Sequence, residues 1–487
     1  MKSKIIIMEW FVIVLLFLGI IGYAVYKVDP YMHFHKPYVD DYYYTLSNAR
    51  YQNDGITKHF DYDAMITGTS MVTCFKTSEF DKLFGTKSIK IAYHGGAFKE
   101  INDNLAIALE YNPNLKIVVR SIDPGNLFDI TGDFRYDTGT YPTYLYDKNP
   151  FNDVKYLCNK DVLLNRVMPM ISDAKKANFQ PGITSFDEYD NLQKYYIFGK
   201  NTVIPNGIGE VDSSIEQASI EHLSNEERED IKENIQNNVT RLVEEYPDVD
   251  FYYFLPPYSI VNWRTTVQAS SLHKQIEAER YVIELLLEHD NIHLYSFNNR
   301  TDIITDLNNY ADDIHYGEWI NSLILKWMHE GKYQLTKDNY EQYLSEELEF
   351  LTSFDYASLD SQEDYDQDIY AAALLNEELK GIEPKEILIG ETADNNVVIE
   401  NINGYDYLVF YAKYTDGKCD LKVYDENKSV VYEHIASEIN ESENDEWQRI
   451  VIELTDVPAN GLQIQSNVYN ADDVAVNGCA LKDITLY

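Results

Sequence analysis

Apolar residues along this 487-residue chain follow three different rhythms, and each predicts a different kind of structure. The first is unbroken. Ile5 to Tyr26 (IIIMEWFVIVLLFLGIIGYAVY) is almost continuously apolar and carries no charge except Glu9. At 1.5 Å per residue, about 20 residues cross the hydrocarbon layer of a bilayer, so the stretch is long enough for a transmembrane helix. Glu9 sits near one end, where a side chain reaches the interface. Trp10, with Tyr23 or Tyr26, would mark the two boundaries. Lys2 and Lys4 precede the span and only Lys27 closely follows it. That bias predicts a single-pass plasma-membrane anchor, with residues 1–4 inside and the C-terminal bulk extracellular. Gly22-Tyr23-Ala24 also offers the small residues of a signal-peptide cleavage site. The apolar segment exceeds a usual signal core, which favours an uncleaved anchor.

The second rhythm starts at Asp63. The runs AMIT (Ala64 to Thr67), SIKIAY (Ser88 to Tyr93), KIVVR (Lys116 to Arg120), DFYYFLPP (Asp250 to Pro257) and NIHLYSF (Asn291 to Phe297) read as strands. Between them, Phe98, Ile101, Leu105 and Leu109 recur at helical spacing within Phe98 to Tyr111. Asn225 to Tyr246 and Ser271 to Glu288 predict further helices, and Ile320, Ile324, Trp327 and Met328 line one face of a last one. Strands alternating with helices predict a parallel sheet covered on both faces, an α/β three-layer sandwich over residues 27–352. Residues 128–215 interrupt it as an irregular, tyrosine-rich insertion. The insertion emerges beside the second and third strand-to-helix loops and is expected to line a substrate groove. Leu335 to Phe354 reads as an acidic helix.

The third rhythm has period two. From about Ile387, NVVIENI, YDYLVFYAKY, CDLKVYD, QRIVIEL and ALKDITLY alternate apolar and polar residues. Turn residues such as Asp416-Gly417, Pro458 and Asn477-Gly478 separate them. The pattern predicts an all-β sandwich over residues 385–487. Residues 353–384 read as an acidic, solvated linker. Their charge run DSQEDYDQD (Asp360 to Asp368) lacks the alternating ligands and central glycine of a calcium loop.

Composition narrows the function classes. A formal net charge of -41 repels phosphate backbones and argues against a nucleic-acid partner. The 41 tyrosines suit sugar contact, because the ring packs on C–H groups while the hydroxyl hydrogen-bonds. A compositional habit of the source organism gives the same count. The cysteines Cys74, Cys158, Cys419 and Cys479 are too few for a disulfide framework and lack CxxC spacing. Cys419 and Cys479 share the C-terminal region, where they can bridge or remain buried thiols. His33 and His35 make an HxH pair, but nothing in the pattern converges on them, so neither metal nor cofactor is expected.

The chemistry gathers around DAMITGTSMVTC, Asp63 to Cys74, where a buried strand runs into a glycine and then presents Ser70. A serine hydroxyl attacks a carbonyl only with a base, and the base needs an orienting acid. Open α/β folds collect such groups on loops at the C-terminal edge of the sheet. YADDIHYGEWIN, Tyr310 to Asn321, follows the last strand and precedes the last helix. Its D-x-x-H spacing lets one loop set Asp312 beside His315, with His315 as base and Asp312, or alternatively Asp313, holding the tautomer. YHGGAFKEI, Tyr93 to Ile101, puts Gly95-Gly96 between a strand and a helix start, where free N–H groups and the helix dipole converge. Such a turn can serve as an anion hole, or simply as a turn.

Serine on the first turn, glycines on the second and a terminal D-x-x-H together resemble the SGNH (GDSL-like) hydrolase superfamily over roughly Ala64 to Met328. The resemblance implies Ser70 as nucleophile, the Ser70 and Gly95 or Gly96 N–H groups as oxyanion donors, and His315 with Asp312 as base. Two departures stand out. The serine block lacks the acidic residue of GDS. The block whose asparagine completes the anion hole is matched by SIDPGN, Ser121 to Asn126, with Asp123 nearest the asparagine position and Asn126 as the possible substitute. A carboxylate facing an oxyanion opposes catalysis unless it is protonated or turned away. Membrane-anchored members of this layout are similar to helpers of cell-envelope acylation, in teichoic acid D-alanylation and exopolysaccharide acetylation. That implies an esterase or O-acetyltransferase acting on a cell-surface or exported polysaccharide, beside a membrane-bound acyltransferase. The opposing reading is a catalytically degraded, glycan-binding scaffold. DEWQRIVIEL (Asp445 to Leu454) and NGCALKDITLY (Asn477 to Tyr487) resemble late strands of jelly-roll carbohydrate-binding modules. Trp447 is then a candidate glycan contact and, equally, a candidate core aromatic.

Overall fold

A computed structural model describes residues 2–128, 141–209 and 220–364. Beyond these it describes residues 386–392, 396–413, 418–425, 428–436, 447–454, 457, 460–469, 475–476 and 480–486. The chain divides into two compact units, Met1–Asp364 and Tyr365–Tyr487.

The first unit opens with α1, Lys2–Val28, of which Ile5–Val28 is long and apolar enough to cross a membrane. After α2 (Ala49–His59) the chain alternates β1 (Ala64–Gly68), α3 (Thr77–Phe84), β2 (Ser88–Ala92), α4 (Phe98–Tyr111) and β3 (Ile117–Ser121). It continues with α5 (Asn225–Ile235), β4 (Asp250–Leu255), α6 (Ile260–Gln268), α7 (Leu272–Leu286) and β5 (Ile292–Ser296). The last elements are α8 (Glu318–Glu330), β6 (Gln334–Leu335) and α9 (Tyr340–Ser353). The strands form one sheet in the order β2-β1-β3-β4-β5-β6. The first five are parallel, and β6 is an antiparallel edge strand on β5.

From β1 the chain steps to β2 on one side and then crosses back to β3 on the other. Right-handed crossovers therefore send α3 to one face of the sheet and α4, α5 and α7 to the other. The contacts agree: α3 packs with α8, α2 with α4, and α7 with α5 and α9. Such a reversal opens a crevice at the carboxyl ends of the strands. β1 and β2 are buried at every position, as a parallel sheet covered on both faces requires.

Helix α2 carries no apolar stripe, yet Gln52, Asn53 and Asp54 are buried. Hydrogen bonds replace the stripe: Asn53 donates to the Ala92 carbonyl at 2.9 Å, and Thr57 to Asn104 at 3.0 Å. At Gly55 an added Cβ would meet the Tyr31 carbonyl oxygen at 2.3 Å, so the segment leaving α1 crosses α2 where there is no side chain.

The insertion does not behave as one groove wall. Its short helices Thr143–Tyr146, Val154–Leu157, Lys160–Val162 and Met168–Asp173 belong with the end of α1. There Val25 and Val28 are buried with Leu145, Tyr156, Val162 and Val167. The later part, about 187–199, reaches the strand ends, Asp190 meeting His94 after β2 and Tyr196 lying on His315. The acidic linker also begins differently from its expected solvated form. Tyr356 and Leu359 are buried in the core of the first unit, and Asp360 accepts the Ile208 N–H at 2.8 Å. Residues 365–385 lie outside the described residues.

The second unit is built from two antiparallel sheets. One runs Asn396–Ile399, Leu462–Tyr469, Lys418–Asp425, Val430–Ala436, and the other Trp447–Glu453, Tyr407–Lys413, Ala480–Leu486, Glu386–Thr392. Leu421, Val423 and Ile464 from the first meet Leu408, Phe410, Ile452 and Ile484 from the second in one core. The side chains of Trp447, Cys419 and Cys479 lie outside the described residues.

Candidate active site

Strand β1 ends at Gly68, where a Cβ would meet Ser121 Oγ at 2.4 Å and Val72 Cγ1 at 2.8 Å. Without a side chain there, β1 and β3 approach closely enough to turn the chain sharply into the 3-10 turn Ser70–Val72. Thr69 caps that turn, its hydroxyl accepting the Met71 N–H at 3.3 Å. The Ser70 N–H makes no backbone hydrogen bond among the described residues. The turn is held from below by Lys90, a fully buried ammonium in β2 that donates to the Thr73 and Phe75 carbonyls. It is held from the side by Asn321, which donates to the Met71 carbonyl at 3.3 Å.

His315 and Asp312 sit on the loop before α8. The loop folds on itself, Ala311 N–H donating to the His315 carbonyl at 2.9 Å and Gly317 N–H to that of Asn309 at 3.0 Å. This closure brings the i, i+3 pair together. Asp312 Oδ1 accepts the Ile314 and His315 N–H groups at 2.9 and 2.8 Å, which leaves Oδ2 facing His315 Nδ1 at 2.6 Å. His315 Nε2 then meets Ser70 Oγ at 2.8 Å, across 245 positions of sequence. With Nδ1 donating to the carboxylate, Nε2 is the acceptor for the serine proton. Burial raises the Asp312 carboxyl, but the hydrogen bond and charge of His315 and the two backbone N–H groups outweigh it and hold the group below its ordinary value. Asp313 points elsewhere: its Oδ2 accepts from Asn262 at 3.3 Å and its carbonyl from the Ser259 hydroxyl at 2.7 Å.

The two glycines of the second turn differ. Gly95 is exposed and left-handed, with φ of 56°, and its N–H makes no backbone hydrogen bond among the described residues. Gly96 N–H donates to the Tyr93 carbonyl at 2.8 Å, which removes it as an oxyanion donor. Asn126 does not stand in for the missing asparagine as a dedicated donor either. Its side-chain NH2 is engaged with the Gly96 carbonyl at 2.8 Å and braces the glycine turn. Arg50 adds to the brace, paired with Glu100 at 2.8 Å and donating to the His94 carbonyl at 3.0 Å.

Asp123 is buried, and its oxygens accept three hydroxyl protons: Thr69 at 2.8 Å, Tyr258 at 3.0 Å and Ser121 at 2.7 Å. Burial raises this carboxyl, the three hydroxyls opposing the rise. The carboxylate is thereby committed to the backbone of the Ser70 turn through Thr69.

The later insertion supplies residues that the sequence pattern did not indicate. Tyr196 lays its ring against His315, centroids 5.6 Å apart, and Gln193 Oε1 accepts the Glu318 N–H at 2.9 Å at the start of α8. Asp190 pairs with His94 at 2.6 Å beside Gly95, and Asp187 accepts from Thr77 and Ser78 just beyond the serine turn. One signal was available for Lys90, a lysine in an otherwise apolar strand. None marks Tyr196, which stands among several tyrosines in an irregular stretch. The HxH pair diverges: His33 Nε2 meets Asp153 at 3.2 Å, whereas His35 Nε2 meets the Tyr26 carbonyl at 2.8 Å.

No protein-family model and no curated protein matches the chain. Among solved structures, a Streptococcus pneumonia protein described as a platelet activating factor is 11% identical, aligning 61% of this chain with 91% of its own at a TM-score of 0.28. The capsular polysaccharide assembling protein CapF of Staphylococcus aureus is 10% identical, aligning 87% of this chain with 95% of its own at a TM-score of 0.14. At such scores neither likeness bears on fold or activity.

Proposed function

We propose that this chain is an extracytoplasmic serine acyl-ester enzyme, an esterase or O-acetyltransferase acting on a cell-surface or exported polysaccharide through an acyl-Ser70 intermediate. One observation carries the reading: Ser70 Oγ, His315 and Asp312 form a continuous relay with contacts of 2.8 and 2.6 Å. The three sequence blocks similar to SGNH hydrolases support it, since Ser70, Gly95, Asp312 and His315 stand in them.

In the first half-reaction Ser70 Oγ attacks the ester carbonyl as His315 Nε2 takes its proton. The oxyanion that forms is met by the Ser70 and Gly95 N–H groups, backbone donors on adjoining turns without a backbone acceptor among the described residues. His315 returns the proton to the departing sugar oxygen, leaving the acyl group on Ser70. In the second half, His315 deprotonates water in an esterase or a sugar hydroxyl in a transferase, and the same steps run in reverse. Asp312 keeps the Nδ1–H tautomer through both halves and stabilises the imidazolium between them. The apolar N-terminal helix supports an anchored protein whose chemistry lies outside the membrane, beside a membrane-bound acyltransferase. Trp447 and the C-terminal sandwich are assigned to glycan contact.

The test is active-site labelling of the full-length protein with a fluorophosphonate. Labelling of wild type that is lost in Ser70→Ala supports the enzyme, and a folded wild type that resists the probe overturns it in favour of the glycan-binding scaffold. Acetyl transfer that requires a glycan acceptor, compared with release of free acetate, then separates transferase from esterase.

A further inference from the structure

The end of α1 is gripped by the first part of the insertion. Ile5 to Ile20 are exposed all round, Ile21, Gly22 and Ala24 are partly covered, and Val25 and Val28 are buried. A Cβ on Gly22 would lie 3.8 Å from the Leu157 side chain, so the helix Val154–Leu157 stands level with Gly22. The freely exposed part of α1 has 16 residues, about 24 Å of helix, against a hydrocarbon layer of about 30 Å. A span therefore has to use residues 21–24 as well, and the short helices covering them sit at the same depth.

The outer surface of those helices is built for that depth. Phe151 is 89% exposed, Leu164 59%, Val154 54% and Met168 52%, four large apolar side chains turned away from the protein within one short segment. The surrounding charge is reversed from the rest of the molecule. Residues 147–176 carry Lys148, Lys155, Lys160, Arg166, Lys175 and Lys176 against only Asp147, Asp153, Asp161 and Asp173, in a chain of net charge -41. Lys148 pairs with Glu110 and Lys176 with Asp173, and the segment as a whole remains net basic. Exposed apolar side chains in a net-basic segment are what the boundary between acyl chains and anionic headgroups accommodates.

We propose that residues 147–176 form a foot that docks on the outer leaflet beside α1, with Phe151, Val154, Leu164 and Met168 entering the lipid boundary and the basic side chains meeting anionic headgroups. This rests on the reading of α1 as an anchor. The consequence is mechanical: the domain is held at a fixed height and tilt over the bilayer instead of swinging on a single helix. Tyr146, directly before the foot, donates to the Arg50 carbonyl at 2.6 Å, and Arg50 braces the glycine turn, so the fixed orientation extends to the catalytic rim.

The experiment is spin-label depth measurement on the full-length chain in nanodiscs containing phosphatidylglycerol. Nitroxides are placed one at a time at Phe151→Cys, Leu164→Cys and Phe17→Cys, with Cys158, Cys419 and Cys479 changed to Ser. Labels at 151 and 164 should collide with lipid-dissolved oxygen and lose access to a water-soluble nickel complex. Nickel-accessible labels at both positions, with the label at 17 buried in lipid, overturn the foot and leave the anchor standing. Nickel access at all three overturns both. Leu164→Ser with Met168→Ser, labelled at Phe151→Cys, provides a second reading, in which the label should shift toward water. An unchanged depth there also overturns the foot.

Discussion

The Asp123 carboxylate accepts the Thr69 hydroxyl at 2.8 Å, and through that bond the turn after β3 holds the turn that carries Ser70. The acid nearest the asparagine position of the SGNH-like pattern is part of the scaffold of the nucleophile. Asp123→Asn should keep fluorophosphonate labelling of Ser70, because the amide oxygen still accepts from Thr69 and Tyr258 while the Ser121 hydroxyl turns to accept from the amide. Asp123→Leu leaves three buried hydroxyls without an acceptor and should lower unfolding stability by roughly 3 kcal/mol. Denaturant titration checks this, and a leucine variant as stable as wild type removes the bracing role.

His315→Ala and Asp312→Asn test the relay. Each should retain the wild-type circular dichroism spectrum and lose labelling rate, by roughly 10⁶-fold for His315→Ala and roughly 10⁴-fold for Asp312→Asn, the losses seen when a base or its orienting acid is removed from such a triad. A labelling rate within a few-fold of wild type for either variant rejects its assignment.

The Tyr196 ring packs on His315, while its hydroxyl is buried and finds no hydrogen-bond partner among the described residues. Tyr196→Phe should leave kcat/KM unchanged. Tyr196→Ala frees the imidazole, and loss of an aromatic contact of about 1 kcal/mol should lower kcat/KM by roughly five- to tenfold. Equal losses in both variants would mean that the hydroxyl, not the ring, is what the site uses.

Glu279 on α7 and Glu347 on α9 are buried facing one another, away from the relay. Burial pushes Glu279 up to about 7, and burial with the Glu279 charge holds Glu347 well above the usual carboxylate range. In the unfolded chain both ionise near pH 4.5, so the folded state holds extra protons between there and about 7. The contribution of this pair to stability is therefore full below about 4.5 and is lost as pH rises through about 7 and above. Glu279→Gln with Glu347→Gln should flatten that decline and raise the Tm at pH 8. A Tm profile over pH 4–8 identical to wild type contradicts this.

Legibility followed locality. Helix α4 matches the apolar spacing of Phe98, Ile101, Leu105 and Leu109 because those four side chains are buried together in the core. Helix α2 was illegible because its inward face is Gln52, Asn53 and Asp54, made tolerable by partners on the Ala92 and Thr45 carbonyls and on Lys58. Asp312 and His315 could be paired from spacing, since three residues of loop suffice to join them. Gly95 and Gly96 could not be told apart, because the difference lies in which N–H the Tyr93 carbonyl takes.

By itself, the sequence determined what depends on neighbours along the chain: the apolar span, the strand-helix alternation, the change to period two, and the serine, glycine and D-x-x-H turns. Only the tertiary structure decided what depends on distant residues sharing one place. It turned Asp123 away, spent Gly96 and Asn126 on bracing, brought Tyr196 onto His315, and split the insertion between the rim and the anchor. The reason is physical. Periodicity records which face of an element is buried, whereas the direction of a polar side chain is set by the nearest donor or acceptor that the completed fold supplies.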